Sequence, residues 1–250
     1  MSEIILSAYF SKNPHPNDRA DREVVGRADD GRVWQNDFRY IKDWYNSIVS
    51  LDLEAAVFYD NLTDDFVEKY TTPKIRFIKV PPTDMGYNCY RHFVFKDFLQ
   101  KEKYDFVFHT DISDVVVVQN PSKIFDQCPH KYFVGRDSIQ LKQFPALIYC
   151  ASLFGWNSIQ LMMLSEEPLA NMGVFGARHE DALAFYSKMC EVREPTLAEH
   201  ATLNADMMVG NHVIYNNLIC DRSKFLVGHP LTSDFKRHQK TRNDVYFIHK

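Results

Sequence analysis

The 250-residue chain is 45% apolar, 14% aromatic and 25% charged, a balance that excludes a disordered chain and supplies the core of one generous domain. Lys plus Arg number 29 against 33 Asp plus Glu, a net charge of −4 with no basic block, which argues against nucleic acid as a partner. No apolar run nears the roughly 20 residues of a membrane span, no leader pattern opens the chain, and its five widely spaced cysteines form no C-x-x-C pair, so a cytoplasmic protein is expected.

An apolar, β-prone run over residues 4–10 predicts an opening strand. Residues 11–37 are polar and broken by Pro14, Pro16 and Gly31, which predicts a long loop. Asp37 is placed to cap a helix over 38–51, where Ile41, Trp44, Tyr45, Ile48 and Val49 repeat with helical spacing. Strands are expected over 54–59, 74–80 and 104–109, the last apolar enough to be buried on both faces. A short helix over 62–70 and a longer one over 87–101 fall between them. This alternation predicts an α/β fold, a single domain with a mostly parallel central sheet flanked by helices. Ligands of such sheets bind beyond the carboxyl ends of the strands. The second half is less regular, with strands expected at 115–118, 131–134, 171–177 and 245–248 and helices at 180–192 and 203–219.

The most informative segment is 104–126, YDFVFHTDISDVVVVQNPSKIFD, in which a buried strand stops at Thr110 and a turn presents Asp111 and Asp114. Spacing alone carries little, since Asp18 and Asp21 repeat it. Context carries more. Two carboxylates at the end of a central strand repel each other and are costly to desolvate unless a cation neutralises them. Oxygen ligands of this kind suit Mn²⁺ or Mg²⁺. The competing reading is a capped turn with Asp114 solvated.

That segment resembles the acidic DxD region of nucleotide-sugar-dependent glycosyltransferases of the GT-A fold, with D-x-x-D in place of D-x-D. Further pieces match in order: Tyr87-Asn-Cys-Tyr-Arg91 before the motif strand, Asn171-Met-Gly-Val-Phe-Gly176, and a terminal Phe247-Ile-His249-Lys250. The resemblance implies a Rossmann-like GT-A domain, with a nucleotide-binding half over about residues 1–120 and an acceptor-side half over 121–250. It implies a metal-dependent transferase that moves a sugar from a nucleotide-diphosphate donor, UDP-linked by expectation, to a glycan or other hydroxyl acceptor. Asp111, Asp114 and His249 would then hold the metal. Tyr9, Asn88, Arg91, Asp111, Asn171, Gly173 and Lys250 would address the nucleotide sugar. A metal-dependent nucleotidyl- or phosphotransferase, and a GT-A-like module that binds without reacting, are the alternatives.

The chemistry fits these residue types. Negative charge grows on the departing diphosphate, where a divalent cation and a cationic side chain such as Arg91 or Lys250 can stabilise it. Each residue also has a plainer reading. Arg91 could pair with Asp84, Asn171 could cap a turn, and Gly173 could mark a close backbone approach. Asp206 is a first-turn helix acid that could instead face the anomeric centre as base or stabiliser, and Asp137 is a second acid able to reach the sugar. His109 reads as a satisfied core histidine. The 229–234 loop is an acceptor-side candidate.

Overall fold

The computed structural model describes residues 2–12, 35–235 and 242–250. The strands are β1 (Glu3–Tyr9), β2 (Ala55–Tyr59), β3 (Ile75–Lys79), β4 (Phe106–Thr110), β5 (Val115–Val117), β6 (Tyr132–Gln140), β7 (Pro168–Arg178), β8 (Phe225–Val227) and β9 (Phe247–His249). The helices are α1 (Phe38–Ser50), α2 (Asp64–Tyr70), α3 (Tyr87–Leu99), α4 (Ile124–Gln127), α5 (Leu147–Phe154), α6 (Trp156–Leu164), α7 (His179–Arg193), α8 (Leu197–His200) and α9 (Asp206–Tyr215). Most of the expected 11–37 loop lies outside the described residues.

Seven strands form one sheet in the order β3-β2-β1-β4-β7-β6-β8. The first four run parallel, as the βαβ alternation predicts, and β6 pairs parallel with β8. Only β7 runs antiparallel to its neighbours β4 and β6. Alternation along the strands sorts the core into two layers. Ile4, Leu6 and Phe58 face one side with Phe95 of α3 and Phe185 of α7, while Ile5 and Val57 face the other with Ile41 and Trp44 of α1. Burying each such side chain contributes about 1.5–3 kcal/mol before chain entropy is counted. The Asp37 carboxylate accepts the Arg39 N–H at 2.9 Å and caps α1 as its sequence position predicts.

Six elements depart from the expectation. The strands at 115–118 and 245–248 form, but as a separate two-stranded ribbon, β5 against β9. The 131–134 strand continues to Gln140 through register shifts after Val134 and Arg136. The 203–219 helix is shorter, because it begins only at Asp206 and Asn217 takes a left-handed φ of 55° beyond its end. The pair α5 and α6 was not anticipated, since a short run as apolar as LIYCASLF shows no helical periodicity. No helix among the described residues is long and apolar enough to cross a membrane. All five cysteines are free thiols.

Candidate active site

The site grows from the end of β4. Thr110 is fixed twice: its Oγ1 accepts Trp44 Nε1–H at 2.7 Å and its carbonyl accepts the Ser7 hydroxyl at 2.8 Å. The turn therefore starts from a rigid point. The Asp111 N–H donates to the Gly173 carbonyl at 2.7 Å, which ties the turn to β7. The β5–β9 ribbon then returns the chain end to the same place. His249 lies across from Val115, its N–H donates to the Ser233 hydroxyl at 3.0 Å, and the Lys250 N–H donates to the Asp114 carbonyl at 2.8 Å.

His249 Nε2 stands 3.7 Å from Asp111 Oδ2 and 3.9 Å from Asp114 Oδ2. The ring is buried, and among the described residues neither of its nitrogens has a hydrogen-bond partner. Burial, opposed in part by Asp111, lowers its pKa to about 4, so at neutral pH the imidazole is uncharged and forms no ion pair. These separations exceed the roughly 3.2 Å limit of a good hydrogen bond. They lie between the about 3.0 Å and about 4.2 Å expected of adjacent and opposite ligands at about 2.1 Å from one octahedral ion. The three ligand atoms lie within 4.8 Å of one another. Two carboxylate oxygens and a neutral imidazole make a donor set suited to Mn²⁺ or Mg²⁺, the nitrogen favouring Mn²⁺. Gly173 is part of the fit: a Cβ there would press on both the His249 ring and Asp111 Oδ2.

Arg91, from α3, is buried behind the acidic turn. Its Nη1 donates to Asp111 Oδ1, and its Nη2 donates to the Met172 carbonyl at 2.8 Å and to Asp206 Oδ2 at 3.1 Å. Asp84, the partner considered from sequence, is not among these. Burial disfavours the guanidinium charge, but Asp111 and Asp206 outweigh it and hold the group protonated. Burial would raise the Asp111 carboxyl; the Arg91 guanidinium outweighs it and holds the group below the usual range. Asp206 goes the other way, because its own burial outweighs Arg91. One cation thus joins the acid of the β4 turn to the acid opening α9.

A pocket of about 240 Å³ opens over these groups. Asn88, Arg91, Asp111, Asp114, Asn171, Gly173 and Asp206 all line it. Asn171 Oδ1 accepts the Gly173 N–H at 2.8 Å, a bond to its own backbone at the register shift of β7, and the residue lines the pocket as well. His109 is a core residue, its ring nitrogens on the Tyr186 hydroxyl and the Met172 carbonyl at 2.7 Å each.

Three expected residues are placed differently. Tyr9 is 0% exposed, its hydroxyl donating to the Asp37 carbonyl at 3.2 Å and accepting the Asp37 N–H at 3.1 Å. Alternation along β1 turns it into the core, and its neighbours Ala8 and Phe10 line the pocket with Tyr40. The Lys250 ammonium pairs with Asp43 of α1, because the ribbon directs it away from the turn. Asp137 lies on the irregular part of β6, accepts the Ser138 N–H at 2.6 Å and is not among the pocket-lining residues, though its charge acts on His249. Sequence reasoning missed Asn204, Met207 and Phe235, which also line the pocket. Asn204 and Met207 flank a flagged acid and Phe235 follows a flagged loop, so proximity in sequence was their only signal.

An open, mostly parallel sheet with one reversed strand, whose fourth strand ends in an acidic turn over a polar pocket, is the GT-A fold of glycosyltransferases. Solved structures that share it over nearly the whole chain include two of one enzyme. One is the galactosyltransferase LgtC in complex with donor and acceptor sugar analogs, at 13% identity and a TM-score of 0.56, covering 98% of this chain and 86% of that one. The other is an active-site mutant of LgtC, at 12% identity, a TM-score of 0.54 and the same coverages. No family model and no curated protein matches the sequence.

Proposed function

We propose that this protein is a metal-dependent glycosyltransferase that moves a sugar from a nucleotide-diphosphate donor, UDP-linked, to a hydroxyl of a glycan or other acceptor. The observation that carries the reading is the cluster of Asp111, Asp114 and His249, too widely spaced for direct bonds and completed by a buried, unpartnered imidazole. Its place at the end of β4 in a fold shared with a galactosyltransferase supports it.

In this reading Asp111, Asp114 and His249 hold Mn²⁺ or Mg²⁺, which when bound supplies Lewis-acid stabilisation to the departing diphosphate. His249 is already neutral, so it offers its lone pair without losing a proton first. Asn88, Asn171 and Gly173 line the path from that cluster toward Asp206 and orient the sugar. Arg91 holds Asp111 and Asp206 at a fixed separation, so neither must reorganise when a substrate arrives. Asp206, its carboxylate fixed against Arg91, stabilises positive character at the anomeric carbon. Asp137, which does not line the pocket, has no part in this reading. The free thiols fit a reducing compartment such as the cytoplasm.

The test is a thermal-shift screen of nucleotides and nucleotide sugars with and without Mn²⁺, followed by a transfer assay with the best donor. A ligand at about 100 times its Kd stabilises by about 2.7 kcal/mol, which for a protein of this size raises Tm by about 5–10 °C. The expected result is a rise that needs the metal, disappears in Asp111→Ala and Asp114→Ala, and is accompanied by sugar transfer. Nucleotide turnover without transfer would favour a phosphotransferase, and binding without turnover a recognition module. A rise that survives both substitutions refutes the metal assignment.

A further inference from the structure

Asp206 reaches Arg91 only because of the irregular chain before it. Between α7 and α9 the backbone makes one 3₁₀ turn (Glu194–Thr196), the short α8, and then a stretch, 201–205, without regular structure. That stretch delivers Asn204, Asp206 and Met207 to the pocket. It has no ladder to hold it in place.

Arg193, the last residue of α7, is 2% exposed. Its Nη1 donates to the Thr196 hydroxyl, and its Nη2 faces the carbonyls of His200, Ala201 at 3.2 Å and Leu203 at 3.3 Å. Among the described residues no carboxylate forms an ion pair with it. Its charge is instead met by backbone dipoles converging from three residues of one segment. Such carbonyls must find partners once the chain leaves a helix, and a guanidinium meets them with five N–H donors set in one rigid plane, whereas an ammonium offers three at a single point on a flexible stem.

The far side of the segment is fixed to the start of α3. The Gly86 N–H donates to the Ala201 carbonyl at 2.9 Å, and the Ala205 N–H donates to Cys89 Sγ at 3.3 Å. A Cβ on Gly86 would press on the Leu203 carbonyl, so no bulkier residue admits the segment this closely. The same helix carries Asn88 and Arg91 to the pocket. The 201–205 stretch is therefore wedged between α7 and α3, with Arg193 as the bolt on one side.

We propose that Arg193 is a positioning residue for the sugar side of the pocket: it sets the 200–206 segment so that Asp206 meets Arg91. The functional consequence rests on the glycosyl-transfer reading; the structural one does not. Arg193 touches no substrate and acts through Asp206.

The experiment uses Arg193→Lys, which keeps the charge but loses the fork, with Thr196→Val as a milder second variant should the first not fold. Hydrogen exchange of the full chain, with no ligand added, is expected to speed up at least about tenfold over 200–206 in either variant while β1 and β4 keep their protection. Unchanged exchange there overturns the proposal whatever the reaction is. With the donor that the wild type turns over, kcat is expected to fall at least about tenfold, while UDP with Mn²⁺ raises Tm as in the wild type. In an Asp206→Asn background the same Arg193→Lys change should alter kcat by less than about twofold, because both act through one contact. Equal losses in the two backgrounds overturn the positioning role. A wild type that turns over no nucleotide sugar sinks the transferase reading and leaves the exchange result to decide the rest.

Discussion

Arg91 shows how one residue can tie together partners that lie far apart in the sequence. Its guanidinium lies between two carboxylates and a carbonyl, and its side chain is 6% exposed. Removing one partner of a buried ion cluster leaves the others uncompensated, at a cost of about 3–5 kcal/mol. Arg91→Ala should lose that much in urea denaturation, and a second change, Asp206→Ala, should restore part of it. Gly173 makes the opposite demonstration, a residue whose lack of a side chain is the point. Gly173→Ala should lower Tm, because the Cβ disturbs Asp111 and with it the pairing to Arg91, and should weaken Mn²⁺ binding, measured by calorimetric titration, at least about tenfold by displacing His249 and Asp111. Among these residues the acidic pair, Arg91 and His249 were legible because their chemistry is uncommon in a core. Asn204 and Met207 were not, since neither type marks a site by itself.

At the scale of elements, α3 both packs the core and carries the site. Its His92 is buried against the His109 and Tyr186 rings, and among the described residues neither ring nitrogen has a partner. Burial, then Arg91, then His109 push its pKa well below the ordinary value, so the native ring stays neutral. The sign follows from proton counting: below about pH 6.5 the unfolded chain binds a proton that the native state refuses. Stability from this group is therefore complete above that pH and falls as the solution is acidified. Between pH 7.5 and 5.5 the loss is on the order of 1 kcal/mol. His92→Phe should flatten the pH dependence of the urea midpoint by that amount; an unchanged slope would place the titration elsewhere. Elements with a clear period, such as α1 and β1, matched the sequence to within a residue or two. The pair α5 and α6 did not, because two apolar helices packed together need no polar stripe.

At the scale of the whole molecule, the candidate metal site lies at one end of a sheet whose core is complete without it. The two apolar layers flank the sheet, and no ligand of the cluster belongs to either. Removing metal with EDTA should accordingly leave a folded protein that unfolds in one cooperative transition, while the stabilisation by UDP vanishes. A chelator that unfolds the chain would mean the cluster is a structural staple. The five buried or half-buried thiols form no bridges, so dithiothreitol should leave Tm unchanged in a melting experiment.

The layered α/β architecture, the strand that ends in Asp111 and the types of atom available to a cation are legible along the chain. Hydrophobic period and local capping act over a few residues, so they can be read from neighbours along the chain. Folding in three dimensions was needed to bring His249 to Asp114, 135 residues away, to join Asp111 to Asp206 through Arg91, and to turn Tyr9 and Lys250 elsewhere. Those outcomes depend on the reversed strand β7, the β5–β9 ribbon and the segment wedged beside Arg193. Pairings between distant strands are set by the packing of the whole core, and no local pattern records them.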